Sequence, residues 1–164
     1  MNRATRIGPL ARPEFVNDLE RQVRESVAGG ATILTGGQRN PGKGYFFQPT
    51  VLTGVRPDMP AGCEEVFGPV AAMIRAKNTE DAIKIANHTP YGLGSSVWTT
   101  DTALAKQLAR DIEAGQVFIN GIVASDPRLP FGGVKKSGYG RELSEFGIRE
   151  FVNIQTVWIG PKKQ

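Results

Sequence analysis

Apolar side chains recur at helical spacing in three stretches of the chain. Residues 13–28 carry them on one side of a predicted helix, with a proline suited to its first turn. A second helix is predicted within residues 78–90, between an asparagine that can cap it and a proline that stops it. A third is predicted within residues 100–115, between a threonine or aspartate cap and a terminal glycine.

Short runs of apolar and β-branched residues predict strands around these helices. The run at residues 46–55 contains Pro49, which cannot donate to a ladder, so we predict extended chain or an edge strand there. The predicted strand at residues 152–159 can pair with its own sheet or with another subunit. The remaining predicted strands cover residues 31–35, 70–76, 94–98 and 116–119.

Strands and helices alternate from residue 70 to residue 119. This alternation indicates an α/β fold with a parallel sheet, whose strands are joined by right-handed helical crossovers. Ligands of open α/β sheets bind at the carboxyl ends of the strands. The loop that follows Ile119 leaves such an end, so it is the first place to look for a binding site.

This loop, within residues 118–142, is long, has no periodicity and contains two prolines. Loops of this length in compact domains are either functional or disordered. Apolar residues such as Ile122, Leu129 and Val134 are too frequent here for a solvated linker. We therefore predict an ordered, functional loop, in which several glycines allow turns that a Cβ atom would block.

Composition excludes several classes of protein. The 164 residues, 40% of them hydrophobic, fit one globular domain, and the single cysteine cannot form an internal disulfide. We predict a cytoplasmic protein with no metal site, because the chain shows no Cys/His ligand spacing, signal peptide or membrane span. The net charge of +4 is scattered among acidic residues, so no nucleic-acid partner is predicted.

Candidate nucleophiles are weak. Cys63 precedes Glu64 and Glu65, and nearby negative charge disfavours a thiolate, so we predict an inert thiol. Of these two neighbouring acids, one is expected to be solvated and the other hydrogen-bonded. Ser125 has Asp126 beside it, but the one histidine of the chain, His88, is predicted at a helix end. The residues therefore indicate binding surfaces without a catalytic nucleophile.

Two segments resemble signatures of the NAD(P)-dependent aldehyde dehydrogenase superfamily. They are E-E-V-F-G-P-V at residues 64–70 and F-G-G-V-K-K-S-G-Y-G-R-E at residues 131–142. Three further segments support them in the same order, so the resemblance covers nearly the whole chain from about Ile7. Within the superfamily, residues 120–126 and 151–158 most resemble bacterial succinate-semialdehyde dehydrogenases. The supporting segments are residues 44–51, 87–93 and 114–120.

The resemblance implies roles for four residues in an enzyme that uses NAD or NADP. Glu65 would accept hydrogen bonds from the nicotinamide ribose, although a helix or turn cap is the alternative for this carboxylate. Phe67 would pack beside the nicotinamide ring. Ser125 and Phe131 would line the aldehyde tunnel, and Ser125 could donate to the far carboxylate of a semialdehyde or make only a local turn hydrogen bond.

The resemblance also implies what this chain lacks. The superfamily's catalytic cysteine, general-base glutamate, oxyanion-hole amide and dinucleotide-binding domain would all lie upstream of Ile7. Residues 1–150 would be part of the catalytic domain, and residues 151–164 an oligomerisation strand and tail. We therefore predict no catalytic residue in this chain and no activity of the chain alone. The predicted protein partners are further copies of the chain or the missing N-terminal half. The alternative function is a non-catalytic interaction module that pairs with an N-terminal half or with an intact relative.

Overall fold

The computed structural model describes residues 5–162, which divide into a first unit that ends at Pro90 and a second that begins at Tyr91. Helix α1 of the first unit spans Pro13–Ala28, as the hydrophobic pattern predicts. Its apolar face forms one side of the core of this unit, against the strands and a short helix. The buried apolar residues of this core are Val16, Leu19, Val23, Ala31, Phe47, Leu52, Val55, Met59 and Ala61.

Three strands form the sheet of the first unit: β1 (Thr32–Thr35), β2 (Thr50–Thr53) and β3 (Val70–Ala72). Strand β2 lies in the centre, antiparallel to β1 and parallel to β3. The segment is extended, as predicted, but the prediction of an edge strand was wrong, because Pro49 lies just before the ladder and removes no donor from it. The donor that follows, the Thr50 amide, binds the Pro69 carbonyl at 2.8 Å.

Two helices complete the first unit. The single turn α2 (Pro60–Cys63) is too short to show a periodicity and was not predicted. Helix α3 (Thr79–His88) confirms the predicted cap, because the Asn78 side chain accepts a hydrogen bond from the Asp81 amide.

The second unit contains one parallel crossover. Strand β4 (Tyr91–Gly92) precedes β5 (Gly94–Val97), helix α4 (Thr102–Asp111) and strand β6 (Gln116–Ile119). Strands β5 and β6 pair in parallel, which confirms a strand–helix–strand unit. The Asp101 carboxylate caps α4 through two backbone amides. Helix α4 ends at Asp111, earlier than predicted, because Ile112 is already extended.

The long loop after β6 leads to two short elements, β7 (Val134–Lys135) and α5 (Ser144–Arg149). Strand β7 pairs antiparallel with β4. Both strands are too short to be predicted from the sequence. The predicted parallel sheet is thus confirmed in part. In residues 5–162, the strands form one mixed three-stranded sheet and two pairs, one of them parallel.

Residues 152–159 were predicted as a strand, but they carry no strand or helix in the structure, and all of them are exposed. A strand forms only where a neighbouring strand offers hydrogen-bonding partners, and the described part of the chain pairs none with this segment. Its role in oligomerisation stays a prediction. None of the described helices is long and apolar enough to cross a membrane.

Candidate functional site

In the first unit, the segment of residues 61–68 lies against helix α1. The Gln22 side-chain nitrogen donates to the Glu64 carboxylate at 3.0 Å and to the Glu65 carbonyl at 3.1 Å. Arg21 donates to the same Glu64 carboxylate oxygen at 2.6 Å. Helix α1 therefore fixes both the backbone and one carboxylate of this segment.

The two neighbouring acids have different surroundings. Glu64 accepts hydrogen bonds from Arg21 and Gln22, and these bonds, that from Arg21 above all, lower the pKa of its carboxyl group. Both residues are exposed to solvent, but no side-chain hydrogen bond of Glu65 is found within residues 5–162. This confirms the expectation of one hydrogen-bonded and one solvated acid. Glu65, the acid without such bonds in the described part of the chain, is also the one to which the resemblance assigns the cofactor.

Phe67 is 59% exposed and follows Glu65 by two residues. One side of its ring contacts Phe15 of α1, with ring centroids 5.1 Å apart and planes tilted by 41°. Next to it, Gly68 approaches Leu19 so closely that a Cβ atom there would lie 2.4 Å from the leucine Cδ1. A partly exposed aromatic ring and a free carboxylate fit the planar ring and vicinal hydroxyls of a nucleoside.

The Arg21–Glu64 pair predicts a pH dependence. Because the pKa of Glu64 is lower in the folded chain than its ordinary value of 4.5, its pairing adds stability above pH 4.5 that is lost as pH falls through the lower folded value. Glu64→Gln is expected to remove this contribution. The measurement is the free energy of unfolding of both proteins from pH 7 to pH 3. The two curves should converge below pH 4.5, and parallel curves would contradict the pairing.

Cys63 and His88 each occupy the end of a helix. Cys63 is a free, half-buried thiol at the last residue of α2. His88 is the last residue of α3, as predicted. Among the residues that the structure describes, no group of three or more histidine, cysteine, aspartate and glutamate side chains could hold a metal ion.

In the second unit, hydrogen bonds of the Asn120 side chain fix the start of the long loop. Asn120 has a φ of 54°, in the left-handed region that asparagine tolerates better than most residues. Its side-chain oxygen accepts from the Thr99 amide at 2.9 Å, and its side-chain nitrogen donates to the Thr99 carbonyl at 2.8 Å. The start of the loop is thereby attached to the chain that follows β5.

The loop and strand β6 enclose a cavity of about 280 Å³. Phe131 lines it, as do Ala124 and Asp126, whereas Ser125 between them is exposed and is not part of the lining. Asp126 pairs with Arg128 at 2.6 Å, and this bond lowers the pKa of the Asp126 carboxyl group. The structure thus places Phe131 on a cavity wall, and Ser125 on the same loop but facing solvent.

A second cavity of about 380 Å³ lies on the glycine-rich segment and also has Phe131 in its wall. Arg141 closes this segment into a loop by donating to the carbonyls of Gly133 and Gly140, both at 2.8 Å. Ser137 accepts a hydrogen bond from the Gly92 amide at 3.0 Å. Sequence reasoning missed these two side chains. The available signal was their place within a run of glycines, whose carbonyls and amides need partners.

The four predicted site residues therefore form two pairs. Glu65 and Phe67 share one segment of the first unit, and Ser125 and Phe131 share one loop of the second.

Comparison with known proteins gives consistent matches. The model of the aldehyde dehydrogenase family matches residues 1–157. A succinate-semialdehyde dehydrogenase [NADP(+)] of Mycobacterium avium is 54% identical over 160 residues, which are 98% of this chain and 34% of that protein. The structure of succinic semialdehyde dehydrogenase from Streptococcus pyogenes in complex with NADP+ matches with a TM-score of 0.91 and 38% identity, over 98% of this chain and 35% of that one.

A third match is the NAD+ complex of an aldehyde dehydrogenase from Bacillus cereus, with a TM-score of 0.93 and 37% identity over 99% of this chain and 33% of that one. The chain spans about a third of the length of each of these relatives. Its resemblance to bacterial succinate-semialdehyde dehydrogenases is confirmed by relatives of that name. In sequence and in fold, this chain belongs to the aldehyde dehydrogenase family.

Proposed function

We propose that the chain is the C-terminal third of an NADP- or NAD-dependent enzyme that oxidises succinate semialdehyde, or a similar short aldehyde acid, to the carboxylic acid. The observation that carries this proposal is the contrast between Glu64 and Glu65. Arg21 and Gln22 bind the Glu64 carboxylate, whereas the exposed Glu65 carboxylate has no hydrogen bond within residues 5–162 and lies two residues before the exposed Phe67. The matches to relatives of this name and to NADP+ and NAD+ complexes support it.

Each residue would then have a defined task. Glu65 accepts hydrogen bonds from the ribose hydroxyls of the cofactor, and Phe67 limits the position of its nicotinamide ring. The cofactor supplies the hydride acceptor. Phe131 forms an apolar wall of the aldehyde pocket, and Ser125 donates its hydroxyl hydrogen to the far carboxylate of the substrate. The nucleophilic thiolate that attacks the aldehyde carbonyl comes from polypeptide outside this chain, and Cys63 does not replace it.

The chain alone is expected to show no dehydrogenase activity, because positioning groups without the nucleophile cannot form the covalent intermediate. The measurement is NADP+ and NAD+ reduction at 340 nm with succinate semialdehyde. The positive control is a hybrid protein, in which this chain replaces the matching third of the Mycobacterium avium relative. Turnover by the chain alone would contradict the proposal, and so would an inactive but folded hybrid.

Within the hybrid protein, Glu65→Gln is expected to raise the KM for the cofactor about 10- to 100-fold. Hydrogen bonds to a charged group contribute about 1.5–3 kcal/mol, and a tenfold change corresponds to about 1.4 kcal/mol. The matched control is Glu64→Gln, which alters the neighbouring acid that already has protein partners. Steady-state kinetics with varied cofactor measure the difference. An equal effect of both substitutions would count against a cofactor role specific to Glu65.

A second candidate function is the non-catalytic interaction module. The observation in its favour is the exposed apolar end of the described chain, in which Phe151 is 91%, Ile154 82% and Trp158 85% exposed. A surface of this kind is typical of a protein contact. Size-exclusion chromatography with light scattering tests it, using the chain alone and mixed with the intact relative. A monomer that elutes separately from the relative would exclude pairing of the chain with itself and with the intact relative.

A further inference from the structure

We propose that Gln22 is a positioning residue that sets the direction of the Glu65 carboxylate from helix α1. This inference rests on the proposed role of Glu65 in binding the cofactor. No resemblance assigns a role to Gln22. The assignment comes from its two hydrogen bonds, its burial and its location under the segment that carries Glu65.

The Gln22 side chain is only 4% exposed, and its amide nitrogen has two hydrogens to donate. One goes to the Glu64 carboxylate at 3.0 Å and the other to the Glu65 carbonyl at 3.1 Å. Both donors of this one nitrogen are therefore used on consecutive residues. This geometry fixes the peptide that follows Glu65 relative to the helix, and with it the direction in which the Glu65 side chain leaves the backbone.

The same side chain carries an energetic cost. Its oxygen is buried, and no partner for it is found among the described residues. A buried acceptor without a partner is unfavourable and requires an explanation. An apolar residue at position 22 would remove this cost along with the two hydrogen bonds. A function in stability alone therefore explains Gln22 poorly, whereas a function in placing Glu65 explains why an amide lies here.

Neighbouring contacts of α1 make the helix a support for the whole segment. Ser26 accepts a hydrogen bond from the Ala61 amide at 3.0 Å, one turn further along the helix. Leu19 packs against Gly68 one turn before Gln22, and Phe15 contacts Phe67 one turn earlier still. The contacts at both ends place the segment on the helix. Gln22 lies between them and is the one residue of the four that bonds the Glu65 backbone.

The test compares Gln22→Leu and Gln22→Met with Arg21→Met in the 164-residue chain. All three substitutions remove a hydrogen bond to Glu64, but only those at Gln22 remove the bond to the Glu65 carbonyl. NMR measures the carbonyl ¹³C shift of Glu65, the fast backbone motion of residues 64–68 and the pKa of Glu64. All three variants should raise the pKa of Glu64. Only the Gln22 variants should shift the Glu65 carbonyl upfield and increase the motion.

Two further measurements make the outcome decisive. In the unaltered chain, both side-chain amide hydrogens of Gln22 should exchange with solvent far more slowly than those of an exposed glutamine. This measurement does not depend on whether a variant folds. In the hybrid protein, Gln22→Leu should raise the KM for the cofactor toward that of Glu65→Gln without changing the KM for succinate semialdehyde. Fast exchange of either hydrogen, or an unchanged Glu65 carbonyl signal in a folded Gln22 variant, would overturn the inference.

These readouts separate the inference from the proposed function. The NMR measurements need no cofactor, so their failure removes the positioning role and leaves the function intact. If Glu65→Gln leaves the cofactor KM of the hybrid protein unchanged, the proposed function fails. The role of Gln22 in cofactor binding then fails with it, even where the NMR shifts are as expected.

Discussion

Leu52→Ala is expected to lower the free energy of unfolding by about 2–5 kcal/mol, the range measured for buried leucine-to-alanine changes. Leu52 lies in the central strand β2 and is 0% exposed, so its loss leaves a cavity between helix α1 and the sheet. Chemical denaturation followed by circular dichroism measures the change. The effect should exceed that of every substitution proposed at the site, because those side chains are exposed or polar.

The matched control is Leu34→Ala on the neighbouring strand β1. Leu34 is 61% exposed, so the same chemical change should alter the free energy of unfolding by only about 0.5 kcal/mol or less. A similar loss for both leucines would mean that the face of the sheet assigned to the core is wrong.

Gly115→Ala is expected to destabilise the second unit by about 1–3 kcal/mol or more, as for other overpacked positions. A Cβ atom on Gly115 would lie 1.8 Å from the Gly132 carbonyl oxygen and 3.0 Å from the Gly133 Cα. Both atoms belong to the backbone, so no side-chain rotation relieves the contact. The glycine-rich segment would have to move away from the start of β6. Hydrogen exchange should show faster exchange of the amides of β6 and of residues 131–142.

Gly140→Ala is the control for this substitution. A Cβ atom on Gly140 would meet nothing within 4 Å. Its φ also lies outside the left-handed region that glycine alone tolerates well. The variant should therefore retain the stability and the exchange pattern of the unaltered chain. If Gly115→Ala behaves in the same way, the close approach of the two backbone segments is incorrect.

The helices could be predicted because their signals are local. The apolar spacing of α1 and the side-chain caps of α3 and α4 lie within a few residues of the helix that they define. The position of β2 in its sheet could not be predicted in this way, because it depends on β1 and β3, which lie elsewhere in the chain. The short elements α2, β4 and β7 contain too few residues to show any period.

The candidate site, too, could be predicted only where its signals are local in the sequence. Residue types and spacing indicated that one of two adjacent acids would be bonded and the other free. The choice between them depends on Arg21 and Gln22, which lie 43 and 42 residues before Glu64. No pattern near Glu64 and Glu65 encodes that distance. The same holds for Arg141, whose effect on the glycine-rich segment depends on a fold in the chain and not on a recognisable motif.

The double hydrogen bond between Asn120 and Thr99 has a consequence for how this scaffold can diversify. Since the exit from β6 is attached to the chain beyond β5, its direction does not depend on residues 121–130. Those residues can be lengthened, shortened or exchanged while the strands beneath them keep their geometry. Grafting this segment between family members is therefore a way to test its proposed role in aldehyde preference without altering the sheet.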